Sequence, residues 1–241
     1  MSRIRQIYMA RFAGRCLVFV LCTVLAWAYP AAFQVLEGGF FQRFSPLHLL
    51  WIVWMGDMLL QLIPAKHDLA LGSKKLFSQY FKPVREKIDL PAMKRYMVGT
   101  TRAAYKIMIL WAALIGALGW LYWKGILNAL GLFLISAAFY VCDLICVLFW
   151  CPFRLLMKNR CCTTCRIFNW DHLMMFTPMV FIGSFYALSL LGMAVIVWAA
   201  WELSVLIHPE RFWYMSNETL QCSACTDKLC TQYCQKLRPR K

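Results

Sequence analysis

Charged residues are scarce in this chain, and acidic residues are the scarcest. Only 15% of the 241 residues are charged, and 11 Asp and Glu stand against 26 Lys and Arg. An ordinary soluble domain is about 25% charged and about 45–50% apolar, whereas 61% of this chain is hydrophobic. The composition therefore excludes a single water-facing globule, and it excludes collagen-like, coiled-coil and disordered chains as well.

The chain also lacks the short motifs of the common enzyme classes. It has no G-x-S-x-G, Walker A, H-E-x-x-H or dinucleotide-binding fingerprint, and its four histidines form no obvious pair for axial haem ligation. Its twelve cysteines are spread along the length, which argues against a small disulfide-stapled scaffold. The sequence leaves open whether the protein is an enzyme.

The net charge of +15 raises the question of nucleic-acid binding. A nucleic-acid binder gathers its basic residues on a soluble face or tail, with aromatic residues between them. Here the basic residues lie between apolar runs, as in cytoplasmic loops that face anionic lipids. The expected partner is therefore the lipid bilayer with its anionic lipids, and not nucleic acid.

Long apolar runs give the predicted fold class. A helix needs about 20 apolar residues to cross a bilayer, and five runs approach or exceed that length: 16–36, 46–64, 107–123, 126–150 and 173–207. The last run is long for one span and short for two, so a single long span and a compressed hairpin both stay open. The sequence predicts an all-α, polytopic helical membrane protein with five or six transmembrane segments.

The basic residues between the runs predict the topology. A basic N-terminus (1–15) precedes a first hairpin (16–64), a basic loop with an interfacial helix (65–106) and a second hairpin (107–150). A Cys-rich loop (151–172), the long apolar segment (173–207) and a Cys-rich tail (208–241) follow. Ten Lys and Arg in the 65–106 loop place that loop, and hence the N-terminus, inside a cytoplasmic (inner) membrane. A single last span would place the tail outside and a compressed hairpin would place it inside. The inside position is preferred, because reduced metal-binding thiols belong in the cytosol.

Cysteine spacing in the tail predicts a metal site. Cys222, Cys225, Cys230 and Cys234 form a C-x2-C-x4-C-x3-C pattern. Four thiolates this close can surround one zinc ion or an iron–sulfur cluster, and the pattern does not choose between the two. A disulfide-closed tail or unligated thiols are the alternatives.

The loop after the second hairpin adds four candidate ligands, Cys151, Cys161, Cys162 and Cys165. With the tail inside, Cys162 and Cys165 could join Cys222 and Cys225 in one shared four-Cys site. Cys142 and Cys146, within the preceding apolar run, are expected to be small packing residues.

Two acidic residues within apolar runs form a separate candidate site. Asp57 and Asp143 each lie seven residues before the inner end of a run, which places both roughly 10 Å below the membrane boundary at about 1.5 Å of rise per residue. A carboxylate in hydrocarbon costs about 2.5–3.5 kcal/mol and often marks an ion or proton route. The alternative is that each acid is capped by a neighbour such as Trp54, Tyr140 or Ser136, or is protonated. Glu202 is expected at headgroup level, and Asn169 or Asp171 is expected to cap the helix that follows.

Three functions are compatible with these features. The preferred hypothesis is a redox or regulatory membrane protein whose cysteines bind zinc or an iron–sulfur cluster. The second is a small transporter or ion-coupled channel that uses Asp57 and Asp143. The third is an accessory or scaffold subunit that associates with a membrane protein partner or with copies of itself.

Overall fold

The structure, a computed structural model, describes residues 3–63, 73–85, 88–157, 165–224 and 229. Regular structure in these ranges is helical throughout, and the β-type pairing there is a single isolated bridge between Pro83 and Asn217. The predicted all-α class is confirmed for this part of the chain.

Eight α-helices follow one another in the described ranges. They are α1 (Arg3–Ala28), α2 (Pro46–Leu62), α3 (Ser73–Leu76), α4 (Leu90–Trp123), α5 (Ala129–Leu148), α6 (Pro152–Leu156), α7 (Asp171–Phe176) and α8 (Phe185–Ile207). Short 3-10 turns extend several of them, at Pro30–Leu36, Ser78–Tyr80, Ile167–Trp170, Thr177–Ile182, Pro209–Phe212 and Glu218–Leu220.

Four of the described helices, α1, α4, α5 and α8, are long and apolar enough to cross a membrane. Helix α2 is apolar but shorter, with 17 residues. The 34 residues of α4 extend about 51 Å at 1.5 Å per residue, so this helix is longer than the roughly 30 Å hydrocarbon layer. The total of five or six spans stays a prediction.

Polar side chains cap the starts of two apolar helices, and a glycine reverses the chain between α4 and α5. Ser45 starts α2 with its hydroxyl accepting the backbone N–H of Leu47, and Asn128 starts α5 by accepting the N–H of Gly131. Such caps satisfy N–H groups that have no partner within the helix. Between α4 and α5 the chain reverses at Gly125, whose φ of +72° is readily reached only by glycine.

The apolar stretch 173–207 is divided unequally. Its first part continues α7 into the 3-10 turn Thr177–Ile182, and its remainder is the 23-residue helix α8. Pro178 near the start of the 3-10 turn and Gly183 after it, with φ of +69°, interrupt the α-helix. Only α8 in this stretch is long enough to span a bilayer.

The core forms where α1 packs on α5 and α2 packs on α8. Trp54 of α2 is 1% exposed, and its ring lies 5.2–5.7 Å from the rings of Phe133, Tyr140 and Phe176. Edge-on and tilted contacts of this kind stabilise aromatic pairs beyond the area they bury. This aromatic cluster holds α2, α5 and α7 together.

Residues that follow α8 return to the segment between α2 and α4. The backbone N–H of Val84 donates to the Ser216 carbonyl at 3.1 Å, and the N–H of Glu218 donates to the Lys82 carbonyl at 2.9 Å. Arg211 donates to the Leu76 carbonyl at 3.1 Å. The first part of the 208–241 segment therefore lies at the same end of the bundle as residues 76–84.

Close packing against α4 gives a stability prediction. A methyl group on Gly119 would lie 2.3 Å from Cζ of Phe181, whereas one on Gly116 would meet nothing within 4 Å. Both Gly→Ala changes favour the helix, but only Gly119→Ala forces the Phe181 ring to move, at a cost of roughly 1–3 kcal/mol. We expect Gly119→Ala to unfold at a lower temperature than Gly116→Ala in the same detergent. Equal unfolding temperatures would contradict this packing.

Candidate functional site

An arginine whose side chain is 11% exposed joins three helices. Nη1 of Arg15, on α1, donates to Oδ2 of Asp143 on α5 at 2.7 Å and to the Tyr140 carbonyl at 2.8 Å. Its Nη2 lies 3.4 Å from Oδ2 of Asp57 on α2. The guanidinium carbon lies 3.9 Å from the centre of the Tyr140 ring, within cation–π range. One guanidinium is thus shared by two carboxylates from different helices.

His172 connects a third carboxylate to this group. Its Nδ1 lies 2.9 Å from Oδ1 of Asp171, and its Nε2 lies 3.4 Å from Oδ2 of Asp57. The Gln61 side-chain nitrogen lies 3.1 Å from Nδ1 of the histidine. The histidine side chain is only 2% exposed. We call Arg15, Asp57, Asp143, Asp171 and His172 the buried ion network.

Opposite charges are concentrated in the network. Burial alone would lower the pKa of His172, but the carboxylates of Asp171 and Asp57 raise it to about 10. The network joins two basic side chains to three acidic ones, and the charge of Arg11, also on α1, acts on Asp57 as well.

Different parts of the network face different spaces. Asp143 and Asp171 line an almost wholly apolar cavity of about 310 Å³ between α5, α6 and α7. Asp57 is not among the residues that line this cavity, and its side chain is 32% exposed.

A second buried ion pair lies apart from the network. Arg166 donates to one carboxylate oxygen of Glu202, and the indole N–H of Trp170 donates to the other at 2.8 Å. The Glu202 side chain is only 12% exposed, and its expected position at headgroup level stays a prediction. The carboxylate is buried because both of its oxygens have partners in the protein.

The expected helix cap at Asn169 or Asp171 is found in part. Helix α7 begins without a side-chain cap from the preceding residue, and the amide oxygen of Asn169 faces the Lys75 ammonium at 3.5 Å. Asp171 is the first residue of α7, and its carboxylate accepts the backbone N–H of His172 at 2.7 Å as well as contacting the His172 ring.

The eight predicted cysteine ligands are only partly covered by the structure. Cys161, Cys162, Cys225, Cys230 and Cys234 lie outside the described residues, so the four-Cys tail site and the shared site stay predictions. Cys165 is buried with its thiol 3.8 Å from the Met157 sulfur, and Cys222 is exposed. Within the described ranges, no group of three or more His, Cys, Asp or Glu is placed to hold a metal ion.

Cys151 has a partner that its sequence pattern did not indicate. The Cys146 thiol, in the last two turns of α5, hydrogen-bonds to the Cys151 sulfur. That bond, together with the backbone N–H groups of Phe153 and Arg154 and the Arg154 charge, lowers the pKa of Cys151 to about 6, although burial opposes the shift. Cys146, expected to be a packing residue, thus contributes to a thiol pair.

Comparisons of the chain with protein-family models, with curated proteins and with solved structures found no match. What the chain itself establishes is an all-helical protein with four described helices able to span a membrane, and with a buried ion network between helices.

The raised pKa of His172 predicts a pH-dependent stability. Its protonated form faces Asp171 beside it and Asp57 on α2, with Gln61, Arg15 and Asp143 close by. The histidine binds its proton more tightly when folded, so its stabilisation is complete below pH 6.5 and is lost as the pH rises to about 10. The stability advantage of wild type over His172→Gln, from thermal unfolding, should fall across that window. The exposed His208→Gln is the control, and a constant advantage would contradict the prediction.

Metal analysis of the purified protein tests the thiolate site that the cysteine spacing predicts in the tail. Protein purified without chelators should contain zinc, or iron with sulfide, in a fixed ratio to the chain, because four thiolates bind such ions tightly. The change of Cys222 and Cys225 to Ser should remove it, whereas Cys16→Ser should not. Metal that is unaffected by the tail substitutions would rule out the tail as its ligand.

Proposed function

We propose that this protein is a multi-pass membrane protein that couples proton movement to transport, as a small ion-coupled transporter or channel. The observation that carries the proposal is the sharing of Arg15 between Asp57 of α2 and Asp143 of α5. The long apolar helices around it support a bilayer setting. Charged groups at membrane depth are costly, and they commonly line ion and proton routes.

The position of one proton selects which helix is tied to α1. With Asp57 protonated, Arg15 keeps only the Asp143 carboxylate, so α1 is held to α5. With Asp143 protonated, Arg15 keeps Asp57, so α1 is held to α2. Two carboxylates beside one guanidinium repel each other, which favours a state in which one of them holds a proton.

Asp143 and Asp57 have different surroundings, which would give proton transfer between them a direction. Asp143 meets the cavity, while Asp57 is the most exposed acid of the network. A proton taken up on one side and released on the other would move α1 between its two partners. Alternation of this kind between two packed arrangements is the basis of coupled transport.

A purely structural role for the network is the competing explanation. Buried ion pairs contribute little net stability, because desolvation offsets the attraction between the charges. A structural tie alone would hold the helices together without moving protons. The two functions are distinguished by measuring proton movement.

Proton flux into proteoliposomes tests the proposal. An imposed pH gradient with the membrane potential clamped should drive flux well above that of protein-free liposomes, read by an internal pH dye. Asp57→Asn and Asp143→Asn should each lower the flux at least tenfold, because each fixes Arg15 on one partner. Glu202→Gln, which changes the other buried carboxylate, should keep it.

Thermal unfolding checks that each variant is folded, and Arg15 retains one carboxylate in both Asn variants. Wild-type flux no higher than that of empty liposomes, or undiminished flux in folded Asp57→Asn protein, would refute the proposal. A loss in Glu202→Gln equal to that in Asp57→Asn would point to a structural effect of any buried charge.

A further inference from the structure

Sulfur atoms are concentrated around the cavity beside the buried ion network. Six of its lining residues carry sulfur: Cys142, Cys146, Cys151, Cys165, Met174 and Met175. The remaining wall is largely aromatic and aliphatic, and its charged residues are Asp143, Asp171 and Arg154. Soft thiolate and thioether groups in an apolar space are the surroundings that soft metal ions prefer.

The chain brings two of these thiols together by a turn. Helix α5 ends at Leu148, the N–H groups of Phe149 and Trp150 both donate to the Ile145 carbonyl, and Pro152 starts α6. This turn carries Cys151 back against Cys146 on the preceding helix, where the two sulfurs share a hydrogen bond. Both side chains are partly buried and both line the cavity.

We propose that Cys146 and Cys151 bind a soft monovalent metal ion, Cu(I), within this cavity. Copper in this state forms stable complexes with only two thiolates, so two neighbouring sulfurs suffice. Structural zinc takes four ligands, and iron–sulfur clusters take four cysteines. Among the described residues the Cys146–Cys151 pair lacks a third Cys, His or acid placed to complete such a set.

Charges in the cavity suit this ion. Two Cu–S bonds form as both thiols release their protons to solvent, and copper stays in the +1 state throughout. The resulting pair of thiolates with one Cu(I) carries a single negative charge. Arg154, which lines the same cavity, places a positive charge to offset it.

If the protein transports ions as proposed above, this site makes Cu(I) the transported ion, and that part of the inference rests on the proposed function. Asp143 lines the cavity that contains the thiol pair and also shares Arg15. Metal in the cavity and a proton on the network would therefore act on the same carboxylate. Binding itself requires only the two thiols, so it is testable without transport.

Copper binding by the full-length protein tests the site. The other metal candidates are first changed to Ser, namely Cys161, Cys162, Cys222, Cys225, Cys230 and Cys234. This protein is then titrated anaerobically with Cu(I) against a coloured Cu(I) chelator. We expect it to retain one Cu(I) per chain, and we expect Cys146→Ser or Cys151→Ser to reduce retention to background. Cys22→Ser, a buried thiol away from the cavity, should retain the ion.

A second measurement, on the protein with its native cysteines, tests the site even if a Cys→Ser variant fails to fold. In the folded chain with its native cysteines, Cu(I) should slow maleimide alkylation of Cys151 at least tenfold, as read by mass spectrometry of the tryptic peptide. Copper retention that survives loss of either thiol, or alkylation at the same rate with and without Cu(I), would overturn the site. Either result with proton flux intact would refute the metal site and leave the proposed function standing.

Discussion

One guanidinium held in common by two carboxylates constrains the rest of this structure. Arg15 ties α1 to α5 through Asp143 and reaches Asp57 on α2, while His172 connects Asp57 to Asp171. Removal of Arg15 would leave Asp143, whose side chain is 14% exposed, without its main counter-ion, and an uncompensated buried charge costs several kcal/mol. The apolar packing of α1 on α5 and of α2 on α8 brings these charges together, and the charges link α1, α2, α5 and α7.

Much of the architecture was predictable because it depends on local pattern. Long apolar runs predicted helices, and a helical rise of about 1.5 Å per residue placed Asp57 and Asp143 at one depth. The partner of these acids was not predictable. Arg15 directly precedes the first apolar run and was assigned to a basic terminus, whereas α1 already begins at Arg3. Helix α1 therefore carries the guanidinium into contact with α5. This contact depends on how the two helices pack, which the charges along one segment do not predict.

The cysteines also show which contacts sequence spacing does not predict. Spacing such as C-x2-C predicts ligands that share one tight turn, and it directed attention to the tail and the 151–172 loop. Cys146 and Cys151 are five residues apart and meet because α5 ends between them and the chain folds back. Likewise, Glu202 is buried because Arg166 and Trp170 reach it from a distant segment. Contacts made by turns and by distant helices require the tertiary structure.

Infrared difference spectroscopy of the protein in lipid, between acidic and alkaline pH, tests the central claim that one proton is shared across Arg15. The account predicts a carboxylic-acid C=O band at acidic pH that is altered by Asp57→Asn and by Asp143→Asn, and unchanged by Glu202→Gln. Absence of any such band over the whole pH range in which the protein stays folded would show that both acids remain ionised and would contradict the account.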